Sequence, residues 1–429
     1  MKNICFYFQV HSPLHLKTYR FFEIGEDHYY YDDYHTEEQL SQLVQASYLP
    51  ANQTILEMIR NSNGRFKCSF SISGVVLEQF EQYAPEIIDS FKELAQTNCV
   101  EFLLEPYAHS LSSVYDMEEF ELQLKQHADK IEELFGKRPT TLCNTELIYS
   151  DEIAAKAYEL GYKTIMGEGA KHILGWKSAN YVYHSTISPK QKILMRNMKL
   201  SDDLVFRFSD YSWNEYPLTN QKYIDWIKQT SDEEPVVTIG LGYEVFGHIH
   251  KGHTGIFEFL KSLPYYAMEQ EISFMTPSEA TKKIEAKDVL SIPHPSSWTG
   301  EAKDLSAWNG NDLQNEALTK LYGVAGRVHL CADKALKHDW LMLQSAENFR
   351  YMSHHSAYNS NYASPYDAFM NYMNILADFL QRVDLQYPTT IDNEELNELL
   401  KTINSQEKEI VQLEKEIKTL RARKAKVAK

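Results

Sequence analysis

No run of 18 apolar residues occurs in the 429-residue chain, so no segment is long enough to cross a membrane as a helix. A secretory leader is missing as well: the apolar start at residues 4–10 is short and is broken by Gln9, His11 and Pro13. Cysteine is sparse. The five thiols, Cys5, Cys68, Cys99, Cys143 and Cys331, form no CxxC pair. A structural zinc site needs closer Cys/His pairing than this, and buried free thiols in a reducing compartment are the simplest reading. A cytoplasmic location follows. Basic charge is also short, with 43 Lys and Arg against 60 Asp and Glu, a net of −17. That balance argues against nucleic acid, whose binding depends on neutralising phosphates, and against an anionic membrane surface.

What is present is a globular composition, 43% hydrophobic and 24% charged, with length enough for two or three domains. Aromatic residues make up 13%, and 28 of them are Tyr. Most suit a large core with Tyr at its edges. A smaller set could line a groove that stacks on flat apolar faces, sugars included.

Short apolar runs at residues 4–10, 66–72, 100–104, 141–143, 163–166, 204–208 and 236–241 predict strands. Amphipathic stretches at 78–96, 117–135, 151–160 and 255–263 predict helices between them. This alternation implies a parallel sheet with helical crossovers, and strands apolar on both faces imply helices covering it. About seven strands suggest a barrel, with an open doubly wound sheet as the other solution. Polar residues follow the strands: His11, then Glu105, Tyr107 and His109, then Glu146, then Asp210 and Tyr211, then Tyr243 and Glu244. Parallel strands end on one face, so these residues converge on a shared site.

Residues 304–379 are mostly helical in pattern, 353–366 form a polar and aromatic loop, and Pro388 breaks the pattern. Beyond it, Leu396, Ile403, Ile410 and Ile417 are seven apart. Leu399, Leu413, Leu420 and Val427 stand three further on, with Gln406 the polar exception. This narrow a/d stripe predicts a coiled coil over residues 391–429 and a homo-oligomer built through it. Ile at a with Leu at d favours two strands if they are parallel. The basic end, 421–429, suits a solvated helix terminus.

Five segments resemble the motifs of glycoside hydrolase family 57, in particular its α-amylase-like branch. They are FQVHSPLHL at 8–16, LLEPYAHSL at 103–111, CNTELIYSDEIA at 143–154, GYEVFGHIHKGHTGIFEFLKSLP at 242–264 and SSWTGEAKDLSAWNGN at 296–311. They stand in the family's order, except that Ser12 replaces the middle residue of the first motif's His-Gln-Pro. The resemblance covers the chain to about residue 388 and not the heptad tail. It implies an incomplete parallel (β/α)7 barrel over residues 1–300 and a helical segment over 301–388 that completes the cleft; the heptads, not the resemblance, add a coiled-coil tail over 389–429. It further implies an α-glucan or related oligosaccharide as partner, and no cofactor or metal.

Enzymes of this family retain anomeric configuration. One carboxylate attacks the anomeric carbon while a second protonates the leaving oxygen, the two standing about 5–5.5 Å apart. Glu146 occupies the nucleophile's position. The acid/base of the family is an Asp directly before Tyr-Glu, and here that position is Gly242. A glycine has no proton to give, and loss of general acid–base catalysis costs about 10²–10⁴-fold, so hydrolysis is expected to be impaired. Glu244 lies two residues on and would face the same side of an extended strand. Because the family carries this Glu beside its Asp, the resemblance gives Glu244 a binding or structural role. The substrate-binding candidates are His11, His109, Tyr107, Tyr243, Glu244, Phe246, Trp298 and Asp304. Trp298 is a loop residue suited to stacking, Trp308 suits the core, and Asp304 suits a helix cap or a substrate contact. His248, His250 and His253 suit a solvated loop better than a metal site, since no Asp-Asp pair follows the first strand as metal-dependent deacetylases require. Three readings follow: a homologue that binds glycan without cleaving it, an active glycosidase with a substitute acid, and a scaffold that assembles through its tail.

Overall fold

The computed structural model describes residues 2–354 and 361–386 and eight further positions between 399 and 417. Strand β1 (Asn3–Val10) is buried along its whole length. It pairs in parallel with β2 (Cys68–Ile72) on one side and β8 (Val236–Gly242) on the other. β2 continues to β3 (Val100–Phe102). Just past β3, Leu104 bridges in parallel to Leu142 of β4 (Thr141–Leu142). The Leu104 N–H donates to the Thr141 carbonyl at 2.9 Å, and the Cys143 N–H donates to the Leu104 carbonyl at 2.7 Å. β4 pairs with β5 (Thr164–Glu168), β5 with β7 (Lys192–Arg196), and β7 meets β8 where Arg196 stands beside Thr238. These parallel pairings leave β1 on one side and return to it on the other. Outside that circuit, β6 (Val182–Ser185) runs antiparallel to β7 and carries β10 (Asp288–Leu290), while β9 (Ser273–Phe274) joins the start of β1.

Helices between the strands cover the sheet, and their ends follow from local chemistry. Helix Met117–Phe135 begins where Asp116 accepts the Glu118 and Glu119 N–H groups and ends at Gly136, which takes a left-handed φ of 76°. It buries Phe120, Leu124, Ala128, Ile131 and Phe135 at helical spacing.

The predicted strand at 204–208 is absent. Asn197 caps a helix over Met198–Phe206 instead, and a five-residue apolar run cannot separate the two outcomes by itself. Asp210 and Tyr211 therefore follow no strand; Asp210 accepts from Ser212, and Tyr211 is exposed. The predicted helix at 78–96 is two, Gly74–Tyr83 and Pro85–Gln96. Ala84, at φ −148° and ψ 58° ahead of the proline, leaves the helical region and breaks it.

Leu318, Leu321, Phe349, Tyr372 and Phe379 from the helical segment share one buried cluster with Leu104, Leu142, Ile165 and Ile193 of the sheet. The segment therefore shares a core with the strands. Its short helix Ala346–Arg350 is joined to the loop after β3: the Ala346 N–H donates to the His109 carbonyl at 3.1 Å, and Ser345 bridges to Ser110. Of the heptad residues, Leu399, Ile403, Gln406, Ile410, Leu413 and Ile417 are helical and exposed, whereas Leu396, Leu420 and Val427 lie outside the described residues. No helix among the described residues is long and apolar enough to cross a membrane. The five cysteines are free and buried.

Candidate active site

The ends of β1, β3, β4 and β8 bring together His11, Glu105, His109, Glu146 and the turn after Gly242. His109 is fully buried at their centre. Its Nδ1 lies 2.8 Å from Glu105 Oε2, and its Nε2 lies 3.3 Å from Glu146 Oε1 and 4.0 Å from Glu347 Oε1. The His11 ring stacks on it with centroids 4.0 Å apart. His11 reaches Ser73 Oγ at 2.7 Å through Nδ1 and Glu347 Oε2 at 3.1 Å through Nε2. Burial opposes a charge on His109, but the hydrogen bonds it donates to Glu105 and Glu146 and the charge of Glu347 raise it to about 10. His109 is thus an imidazolium among three carboxylates. Glu347, whose burial would raise it, is held well below the usual carboxylate range by His11 and His109.

Glu146 sits in a short 3₁₀ turn, Thr145–Leu147, with φ 51° and ψ 31°. Left-handed non-glycine residues cost about 1–3 kcal/mol each and gather at functional sites; His109 at φ 52° and Leu147 at φ 54° do so here as well. Glu146 Oε2 accepts the Trp298 indole N–H at 2.6 Å and the Thr299 hydroxyl. Burial would raise its carboxyl. The His109 hydrogen bond, the Arg350 charge and Thr299 outweigh that and hold it at about 2. The result is an ionised carboxylate only 9% exposed.

Trp298, predicted as a stacking ring, spends its indole N–H on this carboxylate. Its ring is half-buried, with the Arg196 guanidinium 5.3 Å and the Tyr7 ring 5.8 Å from its centroid. Arg196 is in turn fixed by Glu168 at 2.9 Å and Asp202 at 2.6 Å.

Gly242 closes β8 in register with Gln9, whose side-chain nitrogen lies 3.2 Å from His109 Nε2. Its backbone is extended, φ −65° and ψ 140°, and any residue could adopt it. A Cβ there would nonetheless stand 2.2 Å from Glu244 Oε1 and 2.6 Å from both Cδ and Oε2. The Glu244 carboxyl therefore fills the space beside Gly242. Burial pushes that carboxyl up to about 7; a bond from its own backbone N–H opposes this and the charge of Glu146 adds to it.

Three other predicted site residues point elsewhere. Tyr243 is packed against Phe8 and Phe70, and its hydroxyl donates to Asn52 Oδ1 at 2.7 Å. Phe246 is 1% exposed and meets Phe8 edge-on. The buried Tyr107 donates to Glu78 at 2.6 Å. All three are core in their surroundings, because an apolar ring next to a strand end gains more from burial than from solvent. Asp304 accepts from the Ser306 N–H at 2.9 Å and the Ser306 hydroxyl at 2.6 Å, ahead of helix Ser306–Asn309. Trp308 is buried, as its spacing predicted. His250 differs from the solvated histidine expected: it is buried, 2.8 Å from Ser209 Oγ and 2.9 Å from the Leu204 carbonyl. His248 is half-buried and His253 exposed.

Residues that the sequence did not single out complete the site. Thr299 lay inside a quoted motif beside Trp298 and could have been found there. Glu347 and Arg350 sit in a helical stretch with no local signal, and only the packing of that stretch on the β3 loop brings them in. Among the described residues, His11, His109 and Glu347 could each offer one metal ligand atom, all within 4.8 Å of one another. Both ring nitrogens of His109 already face carboxylates and the ring is charged, which suits a hydrogen-bonded relay better than a cation site. A hollow of about 240 Å³ lined by Phe208, Leu218 and Phe259 shares no residue with this cluster.

The profile of Glycosyl hydrolase family 57 matches residues 5–293. A protein of Methanocaldococcus jannaschii described as "Putative alpha-amylase" is 36% identical over 401 residues, covering 88% of this chain and 84% of its own. Among solved structures, a GH57-type branching enzyme of Pyrococcus horikoshii superposes with a TM-score of 0.67 at 15% identity, over 94% of each chain. An α-amylase of Thermotoga maritima superposes with a TM-score of 0.61 at 14% identity, over 93% of this chain and 96% of its own. At these identities the likeness is one of fold.

Proposed function

Because the chain belongs to glycosyl hydrolase family 57, we propose that it cleaves or transfers α-linked glucan chains by a retaining reaction with Glu146 as the nucleophile. The observation that carries this reading is the ionised Glu146 carboxylate, fixed by His109, Trp298 and Thr299 in a nearly closed site. An attacking carboxylate must be charged and aimed, and donors that stabilise its charge also set its direction. The Glu146 oxygen displaces the leaving sugar at the anomeric carbon, and water or a sugar hydroxyl then displaces Glu146. The His109 imidazolium faces the oxygen where charge changes, and the charge of Arg350 acts on the same carboxylate. The 36% identity to a relative described as an α-amylase supports α-glucan as the substrate class. The circuit of seven parallel strands supports the (β/α)7 barrel, with residues 301–388 completing its cleft.

Gly242 favours a second reading, glycan binding without cleavage, since it brings no proton donor. Incubation with maltoheptaose separates the two. Shortened or rearranged oligosaccharides with wild type, and none with Glu146→Gln, support the enzyme. A melting temperature raised by maltoheptaose without any cleavage supports the binder. If neither occurs, a scaffold remains.

A further inference from the structure

We propose that Glu244 is the acid/base of this site, its carboxyl standing in the space that an Asp side chain at position 242 would occupy. The inference rests on Glu146 as nucleophile. A Cβ on Gly242 would lie 2.2 Å from Glu244 Oε1, closer than any real side-chain contact, so only a glycine lets Glu244 sit there. The missing side chain and the filled space are two halves of one rearrangement. Directly after β8 the chain tightens into a 3₁₀ turn, Tyr243–Val245. The turn folds residue 244 back over residue 242, and the Glu side chain spans the offset between the two positions.

The surroundings suit a group that gives and takes a proton. Glu105, Glu146 and Glu347 are each paired to a histidine, but no side chain among the described residues pairs with Glu244. The turn packs on β1 and on the helical segment Val44–Tyr48. Neither contributes a carboxylate, imidazole or ammonium group, which leaves Glu146 as the charge that acts on Glu244. An ionised carboxylate acting on a carboxyl whose hold on its proton is strengthened by burial and by that charge is the division of labour that retaining glycosidases use.

In the first step a Glu146 oxygen bonds to the anomeric carbon, the glycosidic C–O bond breaks, and the leaving oxygen takes the proton of Glu244. In the second, water or a sugar hydroxyl gives its proton to the Glu244 carboxylate as its oxygen bonds to the anomeric carbon. The ester to Glu146 breaks, and both carboxyls return to their starting states.

The test uses the full chain with maltoheptaose, whose leaving group needs a proton, and α-maltosyl fluoride, whose leaving group does not. Glu244→Gln is expected to lose about 10²–10⁴-fold on maltoheptaose while still reacting with the fluoride. Added azide should give a maltosyl azide of the substrate's own anomeric configuration, which also reports a folded site. The basic limb of the maltoheptaose pH profile, near 7 in wild type, should vanish in this variant. Glu244→Ala combined with Gly242→Asp should recover at least about tenfold over Glu244→Ala alone, because the carboxyl returns from the other backbone position. Unchanged maltoheptaose rate and pH profile in Glu244→Gln, with Glu146→Gln inactive, would overturn the proposal and leave the nucleophile standing. Equal loss on both substrates, with no azide product and no recovery in the double variant, would also overturn it. A wild type inert towards both substrates would remove the glycosidase reading and this proposal with it.

Discussion

Glu146 keeps its charge in a nearly closed site because His109 keeps its own, and each is the reason for the other. Removing one partner of a buried pair costs about 3–5 kcal/mol, so His109→Phe should destabilise the fold by that order in urea at pH 7. The pH dependence has two arms. Glu146 and Glu347 are lowered, so their stabilisation is present above the ordinary carboxylate value of about 4.3 and fades as pH falls towards 2. His109 is raised, so its share is complete below about 6.5 and is lost as pH climbs through about 10. Stability should peak between these arms, and His109→Phe should lack the alkaline decline. Thr299→Val removes a donor to the charged form of Glu146, which must raise that carboxyl. The acid limb of the rate profile should move up by about one to two pH units. Much of this site is visible in the sequence, since His11, His109 and Glu146 each follow a strand. Tyr107, Tyr243 and Phe246 share that position but pack among their neighbours, because strand ends also close the core. Glu244 was legible in part. Its i, i+2 relation to Gly242 suggested a shared side, but a 3₁₀ turn, not an extended strand, brings the carboxyl back.

At the scale of elements, the central strands were readable because a parallel sheet covered on both faces demands continuous apolar runs, as in residues 4–10. Strands β6 and β7 are hard to read because they are short, at four and five residues, and are joined by the six-residue loop at 186–191, which carries a Ser-Pro-Lys turn signal. The run at 204–208 misled for the converse reason, being the apolar end of a capped helix. The loop after β8 shows why its glycine matters. Gly247 has φ 95°, and a Cβ there would lie 1.9 Å from the Ala46 carbonyl oxygen. That strand-end loop is thereby drawn onto the helical segment Val44–Tyr48, on the side where Glu244 is held. Gly247→Ala should cost about 1–3 kcal/mol in urea unfolding. It should also slow maltoheptaose cleavage more than fluoride hydrolysis, because it loosens the turn that carries the acid and leaves Glu146 in place.

For the whole molecule, the open question is what covers the tail. Leu399, Ile403, Ile410, Leu413 and Ile417 are between 43% and 58% exposed. Ordinary surfaces carry single exposed apolar residues, but five helical ones at a/d spacing form a stripe. Fully burying each such side chain is worth about 1.5–3 kcal/mol, and a second copy of the same helix offers a matching seam. Residues 391–429 are therefore expected to pair chains, and a helix of that length would extend about 58 Å at 1.5 Å per residue. Sedimentation equilibrium of the full chain should give two copies, and a chain ending at residue 386 should give one. The double substitution Ile403→Lys, Ile410→Lys should match the truncation, since two charges in the seam repel their counterparts across it. Every residue placed in the site precedes residue 351, so the shortened chain should cleave maltoheptaose at the full-length rate. A full chain that sediments as a single copy at tens of micromolar would end the pairing idea. A shortened chain that is single but slow would instead tie assembly to the site.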